Sequence, residues 1–341
     1  MSKMFRALAA ALCGLAMAAG TDAVAQDKVV VKIGSITMND TVHNMMKDFK
    51  ARVERRAPGR IEVGVYPASQ LGAIPRQIEG VQLGTQEMLS SPPGFFVGVD
   101  RRYGVVDAPG LFDSVPHATK SVNDPEMMKT FWTLGEPKGL VGLGMNCSDP
   151  TMYLFRNPVK TLEDFKGKKI RVFASPMEFE VANRLGAAAI SMSLEEVTPA
   201  LQQGTIDGFK AGLSIFSPLR FYTTAKHVIR TQETIVCPLH VASKAWLDKL
   251  PADVRAILAE EAIAANRANL EFSMQFAKQN ADTWTSNGGL IYDLSPAEQA
   301  EFVRRVSTVG EAVTRDKPGE SRVMVTLHPL RIVATDLSRP H

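Results

Sequence analysis

The chain has 341 residues, 45% hydrophobic, 22% charged and 7% aromatic, with a formal net charge of +3. That length is enough for two domains with cores of their own. The near-neutral balance, with no basic stripe interleaved with aromatics, argues against a nucleic-acid partner.

In chain order, residues 1–25 have the make-up of a secretory signal. Lys3 and Arg6 form a positive start, Leu8 to Ala19 is almost wholly apolar, and Ala23-Val24-Ala25 is a small-residue cleavage site. The apolar run is shorter than the roughly 20 residues a bilayer span needs. Cys13 lies within it but lacks the small residue directly before it that a lipid anchor requires. The expected mature chain starts at Gln26, in the periplasm, and retains Cys147 and Cys237 in an oxidising compartment.

Val29–Ile36 is a near-continuous apolar run of strand length. Thr41–Ala57 places Met45, Met46, Phe49 and Val53 at helical spacing and closes with Pro58-Gly59. Arg60–Tyr66 alternates as a strand, and Pro75–Leu83 is a short helix stopped by Gly84. This order implies a mostly parallel sheet covered by helices. Further on, Lys138–Met145 is a Gly-spaced strand, Leu162–Gly167 a helical turn and Lys169–Phe173 a strand. Helices follow at Pro176–Leu185 and Leu194–Gln203, a strand starts at Ile206, and Glu233–Val241 is an apolar strand. From Pro251 to about Asn287 one helical pattern runs on, with Gly288-Gly289 past its end. At 1.5 Å per residue it would reach roughly 55 Å, farther than one small domain is wide. Ser295-Pro296-Ala297-Glu298 caps a last helix to about Ala312, and beyond Asp316 the periodicity fades.

The segments Lys166–Val172 (KGKKIRV) and Glu195–Gly208 (EEVTPALQQGTIDG), in this order behind an export signal, resemble the DctP-type solute receptors of tripartite ATP-independent periplasmic (TRAP) transporters. So do Tyr66–Met88 (YPASQLGAIPRQIEGVQLGTQEM) and Asp107–Phe112 with His117-Ala118, although Gly110 replaces the usual aromatic. The likeness covers roughly residues 28–310. It implies an α/β, type II-like periplasmic-binding-protein fold, in which two α/β domains are joined by crossing hinge strands and spanned by a long helix. On that basis lobe I is expected over 26–147 and 233–275, lobe II over 148–232 and 276–315, and a tail over 316–341. Two crossovers joining the same pair of lobes must run side by side. Cys147 and Cys237 are therefore expected to be neighbours at the hinge, either bonded or as two packed thiols.

The resemblance gives Arg171 the role of gripping a carboxylate. A guanidinium is a planar fork that meets a carboxylate in two parallel hydrogen bonds and stays charged. Spacing alone favours a structural pairing with an acid such as Glu178 or Glu180. Phe173, two residues along the same strand, points to the same face. The sequence departs from the family's sugar-acid receptors at Thr151, where a second arginine is usual, and at Ala211, where an asparagine touches ligand. Arg156 is expected to face solvent or a loop acid. Lys210 supplies a cation near the ligand or simply replaces a surface glutamate. Tyr153 and Phe216 are candidate apolar walls. Fewer polar contacts point to a monocarboxylate with an apolar or aromatic body, and a C4-dicarboxylate or hydroxy acid is the alternative.

The resemblance further implies a monomeric receptor without cofactor that hands its ligand to TRAP permease membrane subunits, or else to a membrane sensor. The rival class is a secreted enzyme. It lacks any nucleophile–base pair, phosphate loop or dinucleotide fingerprint in this sequence. Cys237-Pro238-Leu239-His240 is a lone C-x-x-H, too little for a zinc site.

Overall fold

The computed structural model describes residues 28–323. The signal expected over 1–25, the start at Gln26 and the last part of the tail lie outside the described residues. Two mixed sheets organise the chain. In the first, β1 (Val29–Gly34) pairs in parallel with β2 (Ile61–Tyr66) and with β3 (Met88–Ser91). Helix α1 (Thr41–Arg56) connects β1 to β2. Its N-cap is Asp40, whose carboxylate accepts the His43 backbone N–H at 2.9 Å, and it buries Val42, Met45, Met46, Phe49 and Val53 on one face. An N-cap of this kind stabilises a helix by about 1 kcal/mol. Helix α2 (Ile74–Leu83) leads to β3 and ends on Gly84, whose left-handed φ of 78° suits glycine. After α3 (Val115–Val122) and α4 (Pro125–Thr130), β4 (Leu140–Met145) forms the far edge of this sheet.

The second sheet begins with β5 (Pro150–Phe155). It continues through β6 (Lys169–Val172), α5 (Pro176–Arg184), β7 (Ala188–Ser191), α6 (Leu194–Gln203) and β8 (Gly208–Ala211). The short helix α7 (Leu213–Phe216) and β9 (His227–Ile235) follow. With β11 (Leu290–Asp293) at one edge, the order across this sheet is β11-β9-β5-β8-β6-β7. The chain then returns to the first sheet as β10 (Leu239–Ser243), which runs antiparallel between β3 and β4.

The run over Glu233–Val241, expected as one strand, is therefore two strands belonging to different sheets, parted around Pro238. A proline cannot donate to a sheet ladder, so the break there has a local cause. The sheets are also less parallel than the element order implied. Strands that arrive through a crossover run against their neighbours, as β10 does in one sheet and β5 in the other.

The two crossovers, 146–149 and 236–238, lie side by side. The Ser148 N–H donates to the Val236 carbonyl at 2.9 Å, and Val236 N–H to the Asp149 carbonyl at 3.2 Å. Cys147 and Cys237 meet there in a disulfide, with their Cα atoms 4.0 Å apart, so the neighbourhood expected for them holds. His240 makes its own partner at the same hinge, its ring Nε2 standing 2.8 Å from Asn146 Oδ1.

Helix α8 (Lys244–Leu247) precedes α9 (Ala252–Ser286), whose 35 residues span about 52 Å. The first half of α9 buries Val254, Leu258, Ala262 and Ala265 against α1 and the first sheet. Its end buries Trp284 against Phe216 in the core of the second. One helix thus packs on both sheets. β11 (Leu290–Asp293) adds an edge to the second sheet, and α10 (Pro296–Val306) and α11 (Val309–Thr314) divide the single helix expected there. Among the described residues, no helix is long and apolar enough to cross a membrane.

Candidate functional site

A cavity lies where the two sheets and the crossovers meet. From the first lobe it is lined by Ile36, Thr37, Asp40, Thr41 and Val42, between β1 and α1, and by Ser90, Ser91 and Pro92 at the end of β3. The crossovers contribute Ser148, Val236 and Pro238. The second lobe contributes Arg171, Phe173, Leu194, Ala211, Ser214 and Ile215.

Strand β6 aims Arg171 into this space by alternation. Ile170 and Val172 join the hydrophobic cluster that holds Met177 and Val181 of α5, so the side chain between them takes the other face. Arg171 is 1% exposed. Its Nε donates to the Met192 carbonyl at 3.1 Å, while Nη2 has no hydrogen-bond partner among the described residues. The guanidinium carbon stands 5.3 Å from the centre of the Phe173 ring and 5.8 Å from that of Phe95, within cation–π range. Burial pulls its pKa down to about 10, against the opposing pull of Glu178, Glu195 and Glu196, so it stays charged near neutrality.

Neither acid suggested as a structural partner takes up Arg171. Glu178 accepts the Phe173 N–H at 2.6 Å and pairs with Lys210 at 2.9 Å, and Glu180 pairs with Arg184 at 2.8 Å. Two further polar atoms of the cavity wall, the hydroxyls of Ser90 and Ser91, are buried with no partner among the described residues. The Ser214 and Ser148 hydroxyls on the wall are engaged. Ser214 bonds the buried Asp149 carboxylate through its N–H at 3.0 Å and through its hydroxyl, and Ser148 donates to the Val236 carbonyl at 3.3 Å. Among the described residues, Asp40 is the one acidic side chain on the lining. Burial raises its pKa, and hydrogen bonds from Thr37 and from the His43 backbone offset part of that.

Of the seven residues singled out from the sequence, the structure brings Arg171, Phe173 and Ala211 to the cavity. Thr151, Tyr153, Lys210 and Phe216 do not line it. Lys210 is 1% exposed, so it is no surface replacement either. It stands opposite Tyr153 in the β5–β8 ladder, on the face away from Ala211, which stands opposite Met152. There it pairs with Glu178 and with Glu233, whose carboxylate also accepts the Tyr153 hydroxyl at 3.1 Å. Burial disfavours the Lys210 charge, but Glu178 and Glu233 outweigh it and hold the pKa above the usual lysine value. The same burial raises the Glu233 carboxyl in spite of Lys210.

Asp107 completes this group. Burial, then the charge of Glu178, pushes its carboxyl up to about 8, with Ser175 and Lys210 opposing. Thr151 shares a hydrogen bond with the Thr234 hydroxyl at 2.8 Å, and Phe216 packs between Phe209 and Trp284. Arg156 is exposed, as expected.

One signal in the sequence separates these cases. By strand alternation, Lys210 and Ala211 face opposite ways in the β5–β8 ladder, so Ala211 meets the cavity and Lys210 does not. Sequence reasoning missed Asp40, Ser90 and Ser91. Asp40 is legible as a helix cap ahead of Thr41, but nothing local shows that a cavity adjoins it.

The sequence model of the bacterial extracellular solute-binding protein family 7, DctP, matches residues 34–316. The C4-dicarboxylate-binding periplasmic protein DctP of Rhodobacter capsulatus is 30% identical over 73% of this chain and 75% of its own. The 2,3-diketo-L-gulonate-binding periplasmic protein YiaO of Escherichia coli is 30% identical over 66% of this chain and 69% of its own. Among solved structures, a TRAP periplasmic solute binding protein from Shewanella oneidensis with bound succinate superposes with a TM-score of 0.83 at 24% identity, covering 89% of this chain and 99% of that one. The sugar acid binding protein DctPAm of Advenella mimigardefordensis, in complex with galactonate, gives 0.83 at 21% identity over 89% and 99%. At these identities the superpositions establish a shared two-lobed fold.

Proposed function

Because the chain belongs to the family 7 bacterial extracellular solute-binding proteins, the DctP receptors of TRAP transporters, we propose that Arg171 holds the carboxylate of an organic acid in the cavity between its lobes. Members of this family are receptors that serve membrane permeases and are not enzymes. The observation that carries the proposal is a buried guanidinium on a cavity wall with one nitrogen unpartnered among the described residues and no carboxylate paired to it. A buried charge without a counter-ion is costly, and a bound carboxylate removes that cost with two charge-assisted hydrogen bonds.

The lining favours a monocarboxylate. Among the described residues Arg171 is its one cationic side chain, so a second carboxylate inside the cavity would face Asp40. Ile36, Val42, Phe173, Leu194, Ile215 and Val236 make most of the remaining wall apolar. The unpartnered Ser90 and Ser91 hydroxyls favour, as a second reading, an acid that also carries a hydroxyl or carbonyl near its carboxylate. Closure follows from differential affinity. Arg171 and Phe173 come from one lobe and Ser90 and Ser91 from the other, so a ligand touching both stabilises the closed form, which a TRAP permease then reads.

Titration calorimetry with propanoate, lactate, succinate and galacturonate tests the assignment. Binding of the monocarboxylates, lost in Arg171→Ala, is the expected result, and lactate binding tighter than propanoate would favour the hydroxy-acid reading. Succinate as the tightest ligand would overturn the monocarboxylate preference. Undiminished binding in Arg171→Ala would overturn the site.

A further inference from the structure

The Arg171 cavity is small and does not end in a closed wall. Its volume is about 50 Å³. A single water needs roughly 10–15 Å³, so the space suits a carboxylate and its first two or three carbons. Beside it, between the lobes, lies a groove of about 570 Å³. The two adjoin, for Ile36 and Leu194 line both. They are also joined through the arginine itself. Met192, whose carbonyl accepts from Arg171 Nε, is part of the groove wall, and so is Phe95, whose ring lies against the guanidinium.

Most of the groove is apolar: Ile74, Ile78, Phe95 and Val99 on its first-lobe side, where Gln82 and Lys138 also stand, and Met192 and Leu194 on its second-lobe side. Ser193, also on the wall, is engaged in capping α6, its hydroxyl and N–H both bonded to Glu196. A small polar acid would leave this apolar surface against water. A ligand whose body continues from the carboxylate covers it and is held by both lobes.

We infer that the groove is a second ligand subsite and that the receptor takes elongated amphipathic acids, whose chain or ring beyond about the fourth carbon lies between Val99 and Met192. This rests on the proposal that Arg171 holds the carboxylate. Burial of hydrocarbon sets the expected gradient, since each buried methylene strengthens binding about threefold to fourfold.

The test is titration calorimetry of straight-chain alkanoates, from butanoate to octanoate, on the wild-type protein and on Val99→Trp, Ala174→Trp and Arg171→Ala. Octanoate should bind the wild type on the order of a hundredfold tighter than butanoate. The bulky indole of either tryptophan variant, placed from opposite lobes, should cut that ratio below about tenfold. A wild-type ratio near one, or a ratio unmoved in both tryptophan variants, overturns the subsite. The underlying carboxylate assignment fails separately, if Arg171→Ala binds butanoate and octanoate as the wild type does.

Discussion

Two buried cations of this protein, 39 residues apart in sequence, sit in opposite situations. Lys210 is neutralised by Glu178 and Glu233, whereas Arg171 has aromatic rings and one carbonyl around it and, among the described residues, no paired carboxylate. Their substitutions should therefore differ in sign. Removing Arg171, as in Arg171→Leu, should cost about 2–5 kcal/mol of acid binding and leave the ligand-free protein as stable or more so, since an unpaired buried charge disappears. Arg171→Lys should also bind weakly, because an ammonium cannot make the planar fork. Calorimetry together with thermal melting checks both, and a large loss of ligand-free stability in Arg171→Leu would mean that the side chain is structural. Lys210→Met should instead destabilise by about 3–5 kcal/mol, because it strands Glu178 and Glu233 in the interior. Denaturant unfolding measures this.

Asp107 gives the same cluster a pH signature. Its folded pKa, about 8, lies above the unfolded carboxylate value, so the folded chain holds this proton more tightly. Its contribution to stability is then fully present below about pH 4 and lost as pH rises through about 8. Asp107→Asn, which keeps the shape without the charge, should flatten that decline in unfolding experiments run across this range. An unchanged slope would show that Asp107 is not the group responsible.

At the scale of elements, the junction of β8 with α7 forms part of the cavity wall, since Ala211 and Ser214 lie on it. Gly212 between them is required by close approach. A Cβ there would stand 2.3 Å from an Asp149 carboxylate oxygen, which is itself bonded to Ser214. Gly212→Ala should cost about 1–3 kcal/mol of stability by overpacking and should weaken acid binding as the junction shifts. Melting and titration of the variant test the two effects together. These elements also show how far local pattern carries. Helix α6 is found at its expected bounds, Leu194–Gln203, because a capping box opens it and Gly204, at a φ of 74°, closes it. β5 was missed as a strand, because its pattern lacks alternation. It is buried on both faces at the centre of its sheet, and its residues need no polar side.

At the scale of the molecule, the disulfide lies on the paired crossovers about which the lobes would turn. It joins residues 90 positions apart, and loss of a native disulfide typically costs about 2–5 kcal/mol. The variant Cys147→Ser/Cys237→Ser should lose stability of that order yet keep acid affinity within about twofold, because a link on the hinge axis restrains separation of the strands and leaves rotation free. Melting with and without reductant, paired with titration, separates the two. A large loss of affinity would place the disulfide among the devices that set closure.

The periodicity of α1 and α9, the caps at Asp40, Ser193 and Gly84, and the face of Arg171 and Phe173 were determined by the sequence itself. Helix and strand periods, capping and alternation are local properties, settled within a few residues. The environment of each polar side chain was decided by tertiary structure alone. Glu178 stands closer in sequence to Arg171 than to Lys210, yet it pairs with Lys210, because α5 covers the sheet face on which Lys210 lies while Arg171 looks the other way. Ser90 and Ser91 became candidate ligand contacts for the same reason. Whether a hydroxyl meets water, a carbonyl or a cavity depends on what the opposite lobe brings to it, and no local pattern encodes that.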